Sequence, residues 1–218
     1  SNWIRAAVLG ANDGILSVSS IAVGVASASA TAAPVVVATL AGLVAGALSM
    51  AAGEYVSVSS QSDIEQADLA RERKELEEMP EVEERELAKI YVARGLTEVT
   101  AAEVARQLHE HDALAAHARD ELGINEMTTA QPLQAAGASA LSFLIGGLFP
   151  FGLIFLFPLE DLYWAEYVFS ISFLALLGAV SAQIGGSNPW KAVIRITIWG
   201  TITMGLSALV GSWVQIGL

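Results

Sequence analysis

The chain has 218 residues, of which 54% are hydrophobic and 16% are charged, and its formal net charge is −12 at pH 7. Such a composition is typical of a multi-pass membrane protein and excludes an ordinary soluble domain. The absence of cysteine excludes disulfide bonds and thiolate metal ligands, and we expect no nucleic-acid partner for so acidic a chain.

Five hydrophobic segments are predicted to cross the membrane as helices, which makes the expected fold class all-α. Each has roughly 20 residues or more, enough to span about 30 Å of hydrocarbon. The segments cover residues 5–28, 34–58, 133–157, 162–184 and 190–216. A hydrophilic insert separates the second from the third, so the predicted domains are 1–60 with transmembrane helices 1 and 2, 61–126 with the insert, and 127–218 with transmembrane helices 3 to 5.

The basic residues predict the orientation of the chain. Arg5 precedes the first span, eight Lys and Arg lie in 61–126, and Lys191 and Arg195 lie at the junction of spans 4 and 5. All of them fall on the cytoplasmic side if the N-terminus is cytoplasmic, as the positive-inside rule requires. The insert is then cytoplasmic and the C-terminus lies on the opposite side. Short loops and an alanine-rich composition favour a prokaryotic cell membrane, with a vacuolar membrane as the alternative.

Span 1 contains one charged residue, Asp13, within the otherwise uncharged stretch Ala6–Val25. A carboxylate at that depth costs at least about 2.5–3.5 kcal/mol on insertion scales, so a functional use is the default interpretation. Span 2 places Met50 and Glu54 four residues apart, on one helical face. Met50 alone is most simply a packing residue. Beside Asp13 and Glu54 it is a soft ligand that favours transition metals. A buried carboxyl group can hold a proton until metal arrives, which is the basis of proton-coupled exchange.

The insert, residues 61–126, holds eighteen of the 23 acidic residues and has a net charge of −10. Span 2 is predicted to continue into it as one helix that ends before Pro80, because the residue preceding proline avoids the helical region. A second helix over 81–94 ends at Gly95. The third is predicted to begin at Thr100, where Thr100 and Glu103 match a capping box, and to end at Gly123. The insert is thus a three-helix unit with a small core of its own, packed against a twin or held together by a ligand.

Spacing within the insert favours a metal site over a merely solvated acidic surface. Residues three or four apart share a helical face, so two pairs of glutamates can converge across the bend at Pro80, and a histidine can join a glutamate on the third helix. Oxygen ligands with an imidazole suit Mn²⁺ and Fe²⁺. His109 and His111 point to different faces of a helix and are predicted to be surface residues. The candidate ligands are Glu72, Glu75, Glu83, Glu86, His117 and Glu121.

These motifs resemble the vacuolar iron transporter family. The resemblance rests on Asn12-Asp13-Gly14, on Gly46-Ala-Leu-Ser-Met-Ala-Ala-Gly-Glu54, and on the glutamate-rich insert closing on Asp120-Glu121-Leu122-Gly123. It covers nearly the whole chain, including the position of the insert between spans 2 and 3. It implies a homodimer that exchanges Fe²⁺, and often Mn²⁺ or other divalent metals, for protons along a path between the protomers.

The resemblance also implies roles for single residues. Asp13 and Met50 match metal-binding residues within the membrane, and Glu54 matches an acidic position one turn further on. The five glutamates of the insert match ligands of a cytoplasmic metal-binding domain. One departure concerns the third helix of the insert, where a methionine pair is expected and the chain has His117-Ala118. Imidazole is less soft than thioether and titrates near neutral pH, which leaves the metal preference open.

Three other functions compete with a proton-coupled exporter of Fe²⁺ or Mn²⁺. A membrane-anchored ferroxidase would use Glu-x-x-His motifs on a four-helix bundle, and the chain has no such motif. A metal sensor would fold its insert around metal and need five spans only as an anchor. A passive channel would use the same path without protons. We therefore predict a transporter in the lipid bilayer and not an enzyme. We expect no tightly bound cofactor, and the transported ion is Fe²⁺, Mn²⁺, Co²⁺ or Zn²⁺.

Overall fold

The computed structural model describes the backbone of residues 2–124 and 131–217, and the side chains of 8–124 and 131–215. Over these residues the chain is entirely helical, as predicted, and its helices are α1 (Asn2–Ala26), α2 (Ala32–Glu78), α3 (Pro80–Ala93), α4 (Glu98–Asp120), α5 (Pro132–Leu156), α6 (Leu159–Ile184) and α7 (Pro189–Gly217). Five of them, α1, α2, α5, α6 and α7, are long and apolar enough to cross a membrane. They begin within a turn of the predicted spans, so the structure has five candidate membrane spans where the sequence predicts them.

The chain divides into two compact units. The membrane unit comprises Ser1–Tyr55 with Leu133–Leu218, and the acidic unit comprises Val56–Pro132. Helix α2 contributes to both, because no proline or turn interrupts it between Pro34 in its first turn and Pro80. The predicted domain boundary at 126/127 lies outside the described residues. The side chain of Arg5, which served to predict the orientation of the chain, also lies outside them.

Close backbone contact between α1 and α5 organises the membrane unit. A Cβ atom built on Gly14 would clash with the carbonyl oxygen of Phe143, and one built on Gly146 would clash with that of Ala11. Only glycine permits such an approach, as is common between helices in membranes. Two apolar layers then fill the space between the helices. The inner layer is Val18, Leu43, Ala47 and Phe143, and the outer layer is Ala22, Val35, Ile154 and Leu162.

The termini of α3 and α4 show how the sequence divides the acidic unit. Pro80 opens α3, where its missing N–H costs no hydrogen bond. Gly95 follows α3 with φ +102, a conformation that side chains disfavour. Helix α4 begins earlier than predicted, because the Thr97 hydroxyl accepts a hydrogen bond from the Thr100 N–H at 3.3 Å. The predicted capping box is therefore wrong, and Glu103 pairs with Arg106 instead.

The apolar core of the acidic unit is small, as its sequence predicts. Leu87, Ala105 and Ala116 form its centre. A polar contact fastens the end of α4 to α3: Asp120 accepts hydrogen bonds from the Tyr91 hydroxyl and from Arg94, each at 2.7 Å. Burial raises the pKa of Asp120, but hydrogen bonds from Arg119, Tyr91 and Arg94 outweigh it and hold that pKa below its usual range. This anchor positions the neighbouring residue Glu121.

Candidate metal site

A break inside α4 creates the candidate metal site. Asp112 has φ −163 and ψ 94, which is extended backbone within an otherwise helical run. Its carboxylate accepts a hydrogen bond from the Ala115 N–H at 3.0 Å, so Asp112 acts as an N-cap for a second helical segment. Because the chain turns there, the residues after the break face those before it. His117, in the second segment, consequently meets His109, in the first.

Four side chains of the acidic unit converge on one point. They come from α2, α3 and the end of α4, and one nitrogen or oxygen atom of each lies within 4.8 Å of the corresponding atoms of the others. Ligands about 2.0–2.2 Å from a shared metal ion are separated by at most about 4.4 Å, so one ion would need to draw these atoms only a few tenths of an ångström closer. Glu72, Glu83 and His117 are only 2%, 5% and 0% exposed. The four residues are Glu72, Glu83, His117 and Glu121.

The two ring nitrogens of His117 face different partners. Nδ1 lies 2.8 Å from Oε1 of Glu72 and 2.8 Å from Oε2 of Glu121, while Nε2 lies 2.9 Å from Nε2 of His109. A single Nδ1–H can point well at only one of the two carboxylates, and among the described residues Oε1 of Glu72 has no hydrogen bond of acceptable geometry despite the short distance. Two carboxylate oxygens and an imidazole nitrogen that share one point form the donor set of a cation.

Charge repulsion and burial both favour binding of a cation. Burial, together with the carboxylate of Glu121, raises the pKa of Glu72. Burial and then Glu86 raise the pKa of Glu83. Burial and the ring of His117 lower the pKa of His109, so that imidazole is held neutral. A divalent ion would relieve the penalties on Glu72 and Glu83 together, because its positive charge compensates their buried carboxylates.

The other two predicted ligands of the insert lie close to this group without joining it. Glu75 is half-buried and Glu86 is exposed, and each raises the pKa of Glu83 through its charge. Their assignment as ligands therefore stays a prediction.

The sequence missed His109, which is half-buried against His117, so its prediction as a surface residue is wrong. His111 is exposed, as predicted. Asp112, a capping residue in the middle of a helix, is the signal that could have revealed the contact.

The predicted membrane residues occupy three different environments. The Asp13 carboxylate is half-buried and accepts a hydrogen bond from the Ser17 hydroxyl at 3.0 Å. Met50 packs against the inner apolar layer. Glu54 is half-buried near the end of the membrane unit. Their grouping into one site stays a prediction.

Beside Asp13, Asn12 borders a crevice of about 400 Å³ between α1, α6 and α7. Ser181, Ser187 and Arg195 also line it, so a mostly apolar lining contains a few polar side chains. The side-chain oxygen of Asn12 is buried without a hydrogen-bond partner among the described residues. The crevice therefore reaches the residue that adjoins Asp13.

A second intramembrane carboxylate was missed by the sequence analysis. Glu166 on α6 is fully buried, and Ser170 donates a long hydrogen bond to its Oε2 at 3.4 Å. Its position within an apolar span is the same signal that identified Asp13.

Comparison with known proteins places this arrangement among membrane transporters. A model of the VIT family matches residues 4–212. The chain is 45% identical over 220 residues to a vacuolar iron transporter of Acanthamoeba castellanii, covering 97% of this chain and 78% of that protein. It is 35% identical to VIT-like transporter 1b of Glycine max, with the same coverage of each chain. Vacuolar iron transporter homolog 5 of Oryza sativa is 33% identical over 95% of this chain and 78% of its own length.

Proposed function

This chain belongs to the VIT family, whose members are transporters and not enzymes, and from that premise we propose that it exports divalent metal from the cytoplasm in exchange for protons. Metal transport across a membrane follows from the family and from the five apolar helices. The relatives named vacuolar iron transporters support Fe²⁺ as the substrate, with Mn²⁺ as the second candidate.

The four converging ligands of the acidic unit support capture of such an ion. Three carboxylates and one imidazole form a hard to borderline donor set, which suits Fe²⁺ and Mn²⁺ better than soft, thiolate-preferring ions. The chain has His117 where the family resemblance implies a methionine. Because imidazole is harder than thioether, the donor set is harder than the resemblance implies. The group would concentrate metal at the cytoplasmic side, where the positive-inside rule puts the insert.

Asp13, Met50 and Glu54 would carry the ion through the membrane. All three are half-buried within one chain, so their atoms remain available to a second copy. Only 22% of the most apolar window of α2 is buried within the chain, so most of that window is free to contact lipid or a second copy. In the proposed homodimer the two α1 helices would line the path. There the Asp13 carboxyl would alternate between a proton and a metal ion.

Asp13→Ala tests this proposal in proteoliposomes that report metal entry and internal pH together. The full-length wild type should move Mn²⁺ and protons in opposite directions, and Asp13→Ala should abolish metal flux. Asp161→Asn, which neutralises an exposed carboxylate on α6, is the matched control and should behave as wild type. Metal flux in Asp13→Ala would overturn the role of Asp13. Wild-type metal flux without proton movement would identify a channel.

A metal sensor is the second candidate, because the buried ligand group lies wholly within the acidic unit. Metal binding by the full-length protein without any metal flux in liposomes would favour it over the transporter.

A further inference from the structure

Glu166 is a buried acid for which the transport path through Asp13 has no use. It is 0% exposed, and its Oε1 has no hydrogen-bond partner among the described residues. The only contact described for the carboxyl group is the long one from Ser170. A carboxylate buried in an apolar span is costly and is functional by default. It needs either a proton or a cation to neutralise its charge.

Glu166 lies in a polar layer between the two apolar layers of the membrane unit. It follows Leu162 of the outer layer by one helical turn. Thr39 on α2 lies one turn after Val35 of the outer layer and one turn before Leu43 of the inner layer. Ser19 on α1 lies between Val18 and Ala22, one in each layer. All three polar residues, Ser19, Thr39 and Glu166, are 0% exposed.

Two polar atoms of this layer find no hydrogen-bond partner among the described residues. The Thr39 hydroxyl, like Oε1 of Glu166, is buried without a hydrogen-bond partner in the described part of the chain, and Ser19 donates to the carbonyl of Leu16. Native interiors satisfy nearly all buried polar groups, and exceptions cluster at functional sites. Two unpartnered polar atoms at one level, one of them an acid, indicate a place where a proton is bound.

Among the side chains that the structure describes, no charged group of the packed helices stands at this level. Asp13 precedes Ser19 by six residues, about 9 Å along α1, and Glu54 follows Thr39 by fifteen, about 22 Å along α2. Helix α5 has no charged residue. On α7, Arg195 borders the crevice beside Gly178 and Ala182, which lie about 18 Å or more along α6 from Glu166. The remaining charges are Glu160 and Asp161 in the first turn of α6, Lys191 near the start of α7, and Arg5 on α1.

The charge balance favours a singly charged ligand over a divalent metal ion. One proton neutralises one carboxylate, whereas a divalent metal bound by a single carboxylate would leave a net positive charge buried between apolar layers. The hydroxyls of Ser170 and Thr39 are uncharged and cannot compensate it.

We propose that Glu166 is a second proton-binding site, inside each protomer and separate from the metal path. This proposal rests on the proposed function, because Glu166 would carry a further proton in the exchange of metal for protons. In the state described, the outer apolar layer closes one side and Leu174, 1% exposed, lies between Glu166 and the crevice. Opening of either side would let the carboxyl O–H transfer its proton to water, leaving a carboxylate that takes a proton back from the other side. No other bond changes.

Proteoliposomes can test this with Glu166→Gln, which keeps the shape and hydrogen bonding of a protonated acid but cannot release a proton. With Mn²⁺ as the probe, metal entry and internal pH are recorded together for wild type, Glu166→Gln, Glu166→Asp and Glu160→Gln. Because Asp13 still exchanges a proton for metal, we expect Glu166→Gln to move fewer protons per Mn²⁺ ion and to weaken the dependence of metal flux on a pH gradient. Glu166→Asp should keep the wild-type behaviour in both respects, and Glu160→Gln, exposed on the same helix, should match wild type.

Two results would separate this inference from the proposed function. If the wild type itself shows no proton movement, the proposed function fails. If the wild type is coupled and Glu166→Gln is equally coupled, the role of Glu166 is overturned. Dependence of wild-type flux on Na⁺, tested by replacing Na⁺ with choline, would also overturn the assignment of a proton as the ligand.

Infrared difference spectra on addition of Mn²⁺ give a readout that does not need transport. The stretch of a protonated carboxyl group should change in the wild type and shift in Glu166→Asp, so the measurement stands even if Glu166→Gln fails to fold. An identical band in wild type and Glu166→Asp would contradict the proposal.

Discussion

The Nε2 atoms of His109 and His117 lie 2.9 Å apart, although eight residues separate the two histidines along α4. On an uninterrupted helix they would be about 12 Å apart along the axis. Their contact fixes the orientation of the His117 ring, because the nitrogen that faces His109 is turned away from the carboxylates. Nδ1 is thereby presented to Glu72 and Glu121. His109 thus orients the candidate ligand His117 and is not one of the four converging residues.

His109→Ala should lower Mn²⁺ affinity of the full-length protein about 10- to 100-fold, the usual cost of losing a residue that orients a metal ligand. Calorimetry in detergent measures this directly. His111→Ala is the matched control, since His111 lies two residues away and is exposed. Equal affinities in the two variants would mean that the contact between the histidines has no part in binding.

Glu72→Gln should have opposite effects on binding and on stability. It removes a ligand and should therefore remove most Mn²⁺ binding. It also removes a buried charge whose pKa is raised by burial and by Glu121, so the metal-free acidic unit should become more stable. Hydrogen exchange of peptides from α3 and α4 in the full-length protein measures the second effect. Glu77→Gln, an exposed position on α2, should change neither quantity.

The break at Asp112 should be as important to the site as the ligands. Asp112→Ala removes the cap on Ala115, at a cost of about 1 kcal/mol, and allows α4 to continue straight. Since a straight helix would separate His109 from His117, Mn²⁺ affinity should fall together with protection from hydrogen exchange. Asp112→Asn supplies another good capping oxygen and should restore both. Failure of asparagine to rescue would assign the carboxylate a role other than capping.

Most of the architecture could be predicted because hydrophobic length and periodicity are local properties. The five spans, the end of α2 before Pro80 and the turn at Gly95 each depend on a few neighbouring residues. The faces of the insert also followed from spacing, so Glu72, Glu83, His117 and Glu121 were all among the predicted ligands.

Tertiary placement could not be read in this way. Glu75 and Glu86 have the same i, i+3 spacing as their partners, and only the packing of α2 against α3 decides which of each pair is buried. Thr97 and Thr100 both fit the sequence preference for a helix N-cap. The structure uses Thr97, so the cap predicted at Thr100 does not form. Contact between His109 and His117 depends on one non-helical residue.

Metal binding and stability of the acidic unit should respond to pH in opposite directions. Raised pKa values at Glu72 and Glu83 mean that the folded unit binds more protons than the unfolded one above the usual glutamate value of 4.5. Metal-free stability should therefore fall as pH rises from 4.5 through the raised values. Asp120, whose pKa is lowered, works oppositely, since its contribution is lost as pH falls below about the usual 3.8.

Metal must displace the protons held by Glu72 and Glu83, so Mn²⁺ affinity should rise over the window in which metal-free stability falls, by up to about tenfold per pH unit for each proton released. Calorimetry in buffers of different ionisation enthalpy counts those protons. An affinity that does not change with pH in this window would refute the buried-carboxylate account of the site.

Gly14 should limit the stability of the membrane unit. A Cβ there would meet the carbonyl oxygen of Phe143 and, at 2.9 Å, the backbone nitrogen of Gly147. Because both are backbone atoms of α5, the helices must move apart, and Gly14→Ala should cost about 1–3 kcal/mol.

Gly137→Ala is the matched control on α5, since a Cβ there meets nothing within 4 Å and alanine favours a helix by about 0.8–1.0 kcal/mol. Thermal unfolding in detergent, followed by tryptophan emission, should separate the two variants in opposite directions, because the tryptophans described by the structure all lie in the membrane unit. Equal stabilities would mean that α1 and α5 can separate at little cost, and the close contact would then not be what holds Asp13 in place.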